Sequence, residues 1–350
     1  MDISAIDKNL KIETQISNED IIWLNAAESP FELYGAVGSE PYIRMPADVA
    51  EKVSPGVLGL SKNTAGLRLR FKTNSPYIAI HVKWQGLTRF SHMPVSGTSG
   101  FDLFSVTENG SQNFIKPFMP TPDSYKGFDS VIDVSGEMTD YVINFPLYNS
   151  VEKLAIGVKN DSKFETPLQY IDELPVVFYG SSITQGGCAS RPGNCYQNFL
   201  SRAFNIDYIN LGFSGSARAE DEMIDYLAGL EMSVFVSDYD HNAPSTEHLE
   251  NTHYKLYERI REKHPETPYI IISKPDYKFE KSEDLRRKII MNTYIKALEN
   301  GDKNVYFIDG ASLFADDEWQ ACTVDGCHPN DLGFYRFYKA LYPIFKKLFG

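Results

Sequence analysis

Hydrophobic and polar positions change rhythm once along this chain, near residues 160–175. Before that point apolar and polar residues alternate in short runs: LRLRF (67–71), YIAIHV (77–82), FDLFSV (101–106) and YVINF (141–145). Period-2 alternation broken by Gly, Pro, Asn and Ser predicts antiparallel strands with one face buried. No helical period of convincing length appears among them, so the expectation for residues 1–170 is an all-β sandwich or jelly roll. The stretch NDSKFETPLQYIDELP reads as the connection out of it. From residue 171 onward the runs become continuously apolar and alternate with longer amphipathic segments. VVFY (176–179), YINL (208–211), SVFVS (233–237), YIIIS (269–273) and VYFID (305–309) are separated by segments of helical period. Strands apolar on both sides imply a parallel sheet covered by helices on each face. Residues 171–350 therefore predict an α/β domain, a doubly wound parallel five-stranded sheet of flavodoxin-like order. Ligands of such sheets bind beyond the carboxyl ends of the strands.

Composition narrows the class of partner. A formal net charge of -13 over 350 residues opposes general binding to nucleic acid or to an anionic membrane. No apolar run is long enough to cross a bilayer. The start, MDISAIDKNLKIETQ, lacks a basic region followed by an apolar one, so the expectation is a cytoplasmic protein, or one whose leader has been trimmed away. The cysteines are Cys188, Cys195, Cys322 and Cys327. None forms a Cys-x-x-Cys pair, and free thiols are expected.

Candidate chemistry lies where the apolar runs stop. The first ends in GSSITQGG, which puts Ser181 and Ser182 at the carboxyl end of a strand. Gly and Ser also make ordinary turns. A serine hydroxyl becomes a useful nucleophile only beside a base that a third group orients. His328 stands in VDGCHPNDLG with Asp325 three residues upstream, so one loop can carry both. The same loop also suits a turn leading into the last helix. Of the other histidines, His81 and His92 lie in the β-rich half, and His241 precedes Asn242 after the third run. His248, His253 and His264 fall on one helix, where a solvated face is the expectation. A tetrahedral oxyanion needs donors. Gly215 in NLGFSG can bring a bare backbone N–H close, and Asn242 in DYDHN can offer a side-chain amide.

These blocks, in this order, resemble the SGNH or GDSL hydrolase family over roughly residues 175–350. The resemblance implies Ser182 as nucleophile, Asp325 and His328 as its triad partners, and Ser182, Gly215 and Asn242 as the oxyanion hole. The chain departs from the family in two places. Ser181 stands where Gly-Asp-Ser is usual, and Asp240-His241-Asn242-Ala243 replaces Gly-x-Asn-Asp. With Thr184 in the last position, the stretch is not the Gly-x-Ser-x-Gly elbow of α/β-hydrolases. In the first half, SGFDLF (99–104) is similar to the Gly-x-Asp-Leu-Tyr motif of a β-rich domain that precedes some bacterial SGNH esterases, with Phe104 in place of the tyrosine.

The implied activity is a serine esterase that removes acetyl or another short acyl group, often from a carbohydrate, by an acyl-enzyme mechanism. Its partner would be a small-molecule or saccharide ester, with no cofactor and no metal. An acyltransferase would use the same triad, and a non-catalytic carbohydrate-binding protein could keep the scaffold. A metal site from Asp325, Cys327 and His328, with Cys322 near, fits no common zinc spacing. GSSITQGG also lacks the Gly-Lys-Ser/Thr of a phosphate-binding loop.

Overall fold

The computed structural model describes residue 16 and residues 19–350, apart from 39, 172–173, 276–280 and 315–317. The first half contains strands β1 (Ile21–Asn25), β2 (Glu32–Tyr34), β3 (Arg68–Thr73), β4 (Tyr77–Lys83), β5 (Phe101–Val106), β6 (Gln112–Phe118), β7 (Gly127–Asp133), β8 (Thr139–Asn144), β9 (Lys153–Lys159) and β10 (Phe164–Glu165). They form two antiparallel sheets, β1-β9-β4-β7 and β10-β3-β8-β5-β6, with β2 also on β3. The inward positions of both sheets make one core. Leu69, Phe71, Phe101, Leu103 and Ile143 come from one sheet, and Ile78, Ile80, Val82, Ile156 and Val158 from the other. This is the expected β-sandwich. The presumed connection at 160–175 itself contributes β10, which pairs with β3.

The second half carries β11 (Val176–Gly180), β12 (Tyr208–Gly212), β13 (Val234–Asp238), β14 (Tyr269–Ile272) and β15 (Val305–Ile308), all parallel in the order β12-β11-β13-β14-β15. Alternate residues of each strand serve opposite faces. Val177 and Tyr179 join the core under helices at Asp221–Ala228, Thr246–Lys263 and Lys281–Glu299. Val176 and Phe178 join the core under those at Tyr196–Phe204 and Asp331–Phe349. Burial on both faces is why the strands are mostly apolar.

Two features depart from the sequence expectation. The β-rich half contains α1 (Ala47–Val53) and α2 (Pro55–Ser61), each of seven residues. Ser54 caps α2, accepting from the Val57 N–H at 3.3 Å, and Pro55 starts it. Met45, Ala50 and Val57 are buried in the core of the parallel sheet, so this segment packs on the other half of the molecule. Second, His253 is not on a solvated face. It is 2% exposed, with Nδ1 2.7 Å from Thr293 Oγ1. The neighbouring histidines are also engaged, His248 with the Arg218 carbonyl and His264 with that of Ala228.

The halves are joined by buried polar groups. Arg44 is fully buried and donates to the carbonyls of Leu60 and Asn63 in its own half and of Asn210 and Gly212 in β12. Arg68 pairs with Asp207 and lies over the Tyr208 ring, 3.8 Å from its centroid. Asp102, the acid of the SGFDLF segment, is fully buried and accepts from Asn144, from the Arg191 guanidinium and from the Gly193 N–H. Phe104 packs on Phe114 and under the guanidinium groups of Arg191 and Arg202. The motif thus ties β5 to the loop that follows the first strand of the parallel sheet.

Candidate active site

At the end of β11 the chain turns abruptly into a four-residue helix, α4 of the fold at Ser182–Gln185 (the helix at Val95–Thr98 being α3). Gly180 is required there, because a Cβ would lie 2.3 Å from Thr184 Oγ1 and 2.6 Å from the Asp238 carbonyl oxygen. The two serines of the turn differ. Ser181 is fully buried and caps α4, accepting from the Ile183 N–H at 3.2 Å and donating to Asp238 Oδ1 at 3.2 Å. Ser182 is 8% exposed, and its Oγ lies 2.9 Å from His328 Nε2.

His328 comes from the loop before α10 (Asp331–Phe349). Its Nδ1 is 2.8 Å from Asp325 Oδ2, while Asp325 Oδ1 accepts from the backbone N–H groups of Cys327 and His328. Burial alone would raise the Asp325 carboxyl. The hydrogen bonds from His328 and Cys327 outweigh it and hold the group down at about 2. An ionised Asp325 fixes the proton on Nδ1, which leaves Nε2 to accept from Ser182. The loop is anchored behind by the Cys188 N–H, which donates to the Pro329 carbonyl at 2.8 Å.

Gly215 and Asn242 arrive on neighbouring strand-end loops. Gly215 has φ +71, a left-handed conformation that a side chain would strain, and open space lies where its Cβ would be. Asn242 ends a short turn after β13, and its Oδ1 accepts from the Ala217 N–H at 3.3 Å. With the oxygen so engaged, the network presents the amide nitrogen as the donor end. The structure thereby brings all five sequence-identified residues, Ser182, Gly215, Asn242, Asp325 and His328, to the carboxyl edge of the sheet.

Other residues of the site carry no sequence signal. Gln185 accepts from the Ser214 N–H at 3.0 Å and donates to Asn63 and to the Leu147 carbonyl, clamping the Gly215 loop to the β-rich half. The Tyr148 hydroxyl donates to the Ser182 carbonyl at 3.2 Å. Phe90 packs edge-on against Tyr148 and stacks with His92, whose ring centroid is 5.7 Å from that of His328. The β-rich half therefore forms one wall of the site. Beneath Ser181, burial and the nearby Asp240 push the Asp238 carboxyl up to about 8, against the pull of the Thr184 and Ser181 hydroxyls. Burial, then the neighbouring Lys274, His328 and Arg286, lower the proton affinity of His241, whose Nδ1 lies 3.8 Å from the Cys327 thiol.

The metal grouping weighed from sequence does not assemble. Asp325 spends both oxygens on its own loop, and Cys322 is buried with its thiol toward the Glu318 carbonyl. A different trio, His92, Cys188 and His328, converges instead.

Residues 173–346 match the GDSL-like lipase/acylhydrolase family, and residues 21–164 match the N-terminus of SGNH-hydrolase-type esterases. No curated protein sequence matches significantly. Among solved structures, the chain is similar to a candidate GDSL-like lipase from Bacteroides ovatus ATCC 8483, with 29% identity, a TM-score of 0.84, and 94% of this chain and 98% of that one covered. It shares its fold with the salicylyl-acyltransferase SsfX3 of a tetracycline biosynthetic pathway, at 17% identity and TM-score 0.76 over 95% and 98% of the two chains. It also shares the fold of a family two carbohydrate esterase from Clostridium thermocellum, determined with cellohexaose, at 14% identity and TM-score 0.59 over 81% and 92%. With both halves matched in order, the chain belongs to the SGNH (GDSL-type) hydrolase family and is an ester-hydrolysing enzyme with the N-terminal β-domain of SGNH esterases.

Proposed function

We propose that the protein cleaves short acyl esters, acetyl foremost, from a carbohydrate or related small alcohol by way of a Ser182 acyl-enzyme. The unbroken hydrogen-bonded line Ser182–His328–Asp325 carries this reading. Ser182 Oγ attacks the ester carbonyl while His328 Nε2 takes its proton, and Asp325 stabilises the imidazolium. The oxyanion rests on the backbone N–H groups of Ser182 and Gly215 and on the Asn242 amide. As the C–O bond breaks, His328 returns the proton to the departing alcohol. Water then attacks the acyl-enzyme with His328 again as base, and Ser182 regains its proton. The saccharide alcohol is supported by the carbohydrate esterases of the same fold, including an acetyl xylan esterase from Butyrivibrio proteoclasticus. The walled approach formed by Phe90, His92 and Tyr148 favours a short acyl group.

The test is hydrolysis of p-nitrophenyl esters of rising acyl length, then of acetylated oligosaccharides, by the wild type and Ser182→Ala. Expected is a steep preference for acetyl, release of acetate from the sugars, and loss of all activity in the variant. Activity retained by Ser182→Ala would overturn the assignment. Acyl transfer to an added alcohol outpacing hydrolysis would make the enzyme a transferase with the same triad.

A further inference from the structure

We infer that His92, Cys188 and His328 form an inhibitory site for a thiophilic divalent cation, zinc foremost, which shuts the enzyme by capturing the proposed base. The inference deepens the reading of His328 as base. Among the described residues, one ligand atom from each of the three lies within 4.8 Å of the other two. The donor set of two imidazoles and a thiolate is one that zinc takes in tetrahedral sites. The three residues come from different segments. His92 belongs to the loop before α3, Cys188 follows α4, and His328 precedes α10.

Anchoring is graded in the direction that such a site needs. Cys188 is 3% exposed and its backbone is pinned to Pro329, and His328 is held by Asp325. His92 is exposed and stacks on Phe90, so its ring can close the remaining distance to tetrahedral ligand spacing. Ser182 Oγ, 2.9 Å from His328 Nε2, is in place to be the fourth ligand. On binding, the thiol gives its proton to solvent, and His328 Nε2 exchanges its hydrogen bond with Ser182 for the metal. The Nδ1 bond to Asp325 stays, as the outer partner that metal-bound histidines ordinarily keep. The consequence is opposite in sign to that of a metalloenzyme: the cation stops turnover and a chelator restores it.

The experiment uses the intact protein and two readouts. Co(II) titration reports binding directly through tetrahedral d–d and thiolate charge-transfer bands, whether or not the preparation hydrolyses esters. Zn(II) titration of p-nitrophenyl acetate hydrolysis reports inhibition and its reversal by EDTA. Expected are a Co(II)-thiolate spectrum that zinc erases, and reversible inhibition of the wild type. Cys188→Ala and Cys188→Ser should lose the charge-transfer band and become at least about tenfold less sensitive to zinc, since even outer-shell changes cost that much. Cys327→Ala should keep both responses. Should the Cys188 variants fail to fold by circular dichroism, the Cys327→Ala spectrum decides. Its loss there places the metal at Cys327 and His241 and overturns the inference, as does a wild type without a thiolate band. A thiolate band without any esterase activity would support the site while removing the proposed function.

Discussion

At the scale of single residues, the site separates two adjacent serines by what each hydroxyl faces. Ser181 is sealed and bonded to Asp238, whereas Ser182 meets His328. Ser181→Ala should therefore modulate turnover, and its steady-state rate should remain far above that of Ser182→Ala. Asn242→Ala should lower kcat by about 10²–10³-fold, the usual loss for one oxyanion donor. KM should change much less, because that bond strengthens only as charge develops. An unchanged kcat would remove Asn242 from the site. Asp238 gives a prediction about stability. Its folded-state value, near 8, lies above the unfolded carboxylate range. The folded protein therefore keeps a proton that the unfolded chain releases, and this contribution is present below about pH 4 and is lost as pH rises toward 8. His253 acts in the other direction. Burial lowers it to about 3, so its contribution is full above the unfolded imidazole range and falls on acidification. The two oppose each other between about pH 4 and 6.5, and only a difference isolates Asp238. The stability of Asp238→Asn relative to wild type should rise steadily from pH 4 to 8 in urea melts. A flat difference would show that Asp238 ionises normally in the fold.

At the scale of elements, what could be read in the sequence follows the range of the force that sets each element. The strands β11 to β14 are buried throughout and the edge strand β15 partly so, and short, mostly apolar runs betray them without knowledge of their neighbours. Asp325 and His328 are three residues apart and meet through one turn, so their pairing was legible as well. The helices α1 and α2 were not. Each is only seven residues long, too short for a marked helical period, and α2 also carries Pro55, Gly56 and Gly59; packing of Ala50 and Val57 on the parallel sheet supplies what propensity does not. β6 was equally hidden, since its residues QNFIKPF are mostly solvated and do not alternate. Gln185, Tyr148 and His92 acquire their roles from partners far along the chain, and nothing local marks them. The SGFDLF segment was recognisable as a pattern, but its work is visible only where Asp102 meets Arg191 and Gly193. Asp102→Ala would leave the buried end of Arg191 and the Gly193 N–H without their acceptor. Loss of one partner from such a pair costs about 3–5 kcal/mol, so the denaturation midpoint should fall markedly. A midpoint within error of wild type would reduce the motif to a strand with a turn.

At the scale of the whole molecule, the β-rich half reaches the strand behind the proposed oxyanion loop through Arg44. Its guanidinium is fully buried, faces four backbone carbonyls and packs over Phe213, 5.0 Å from the ring centroid. Burial lowers its affinity for the proton to about 9, which still leaves it charged at neutral pH. Two of those carbonyls, Asn210 and Gly212, end the strand that launches the Gly215 loop. The arginine thus braces the strand that leads into the Gly215 loop from the other half of the protein. Arg44→Met keeps the apolar stem but leaves buried carbonyls without their donor, and should destabilise the fold by about 1–3 kcal/mol. Arg44→Lys should recover little, because one compact ammonium cannot reach four acceptors that a planar fork spans. Both variants should lose kcat on p-nitrophenyl acetate beyond any change in KM, since the displaced loop carries the donor proposed to act in the transition state. If Arg44→Lys matches the wild type in both denaturation midpoint and kcat, the β-rich half acts only as a wall, and the oxyanion loop holds its shape without it.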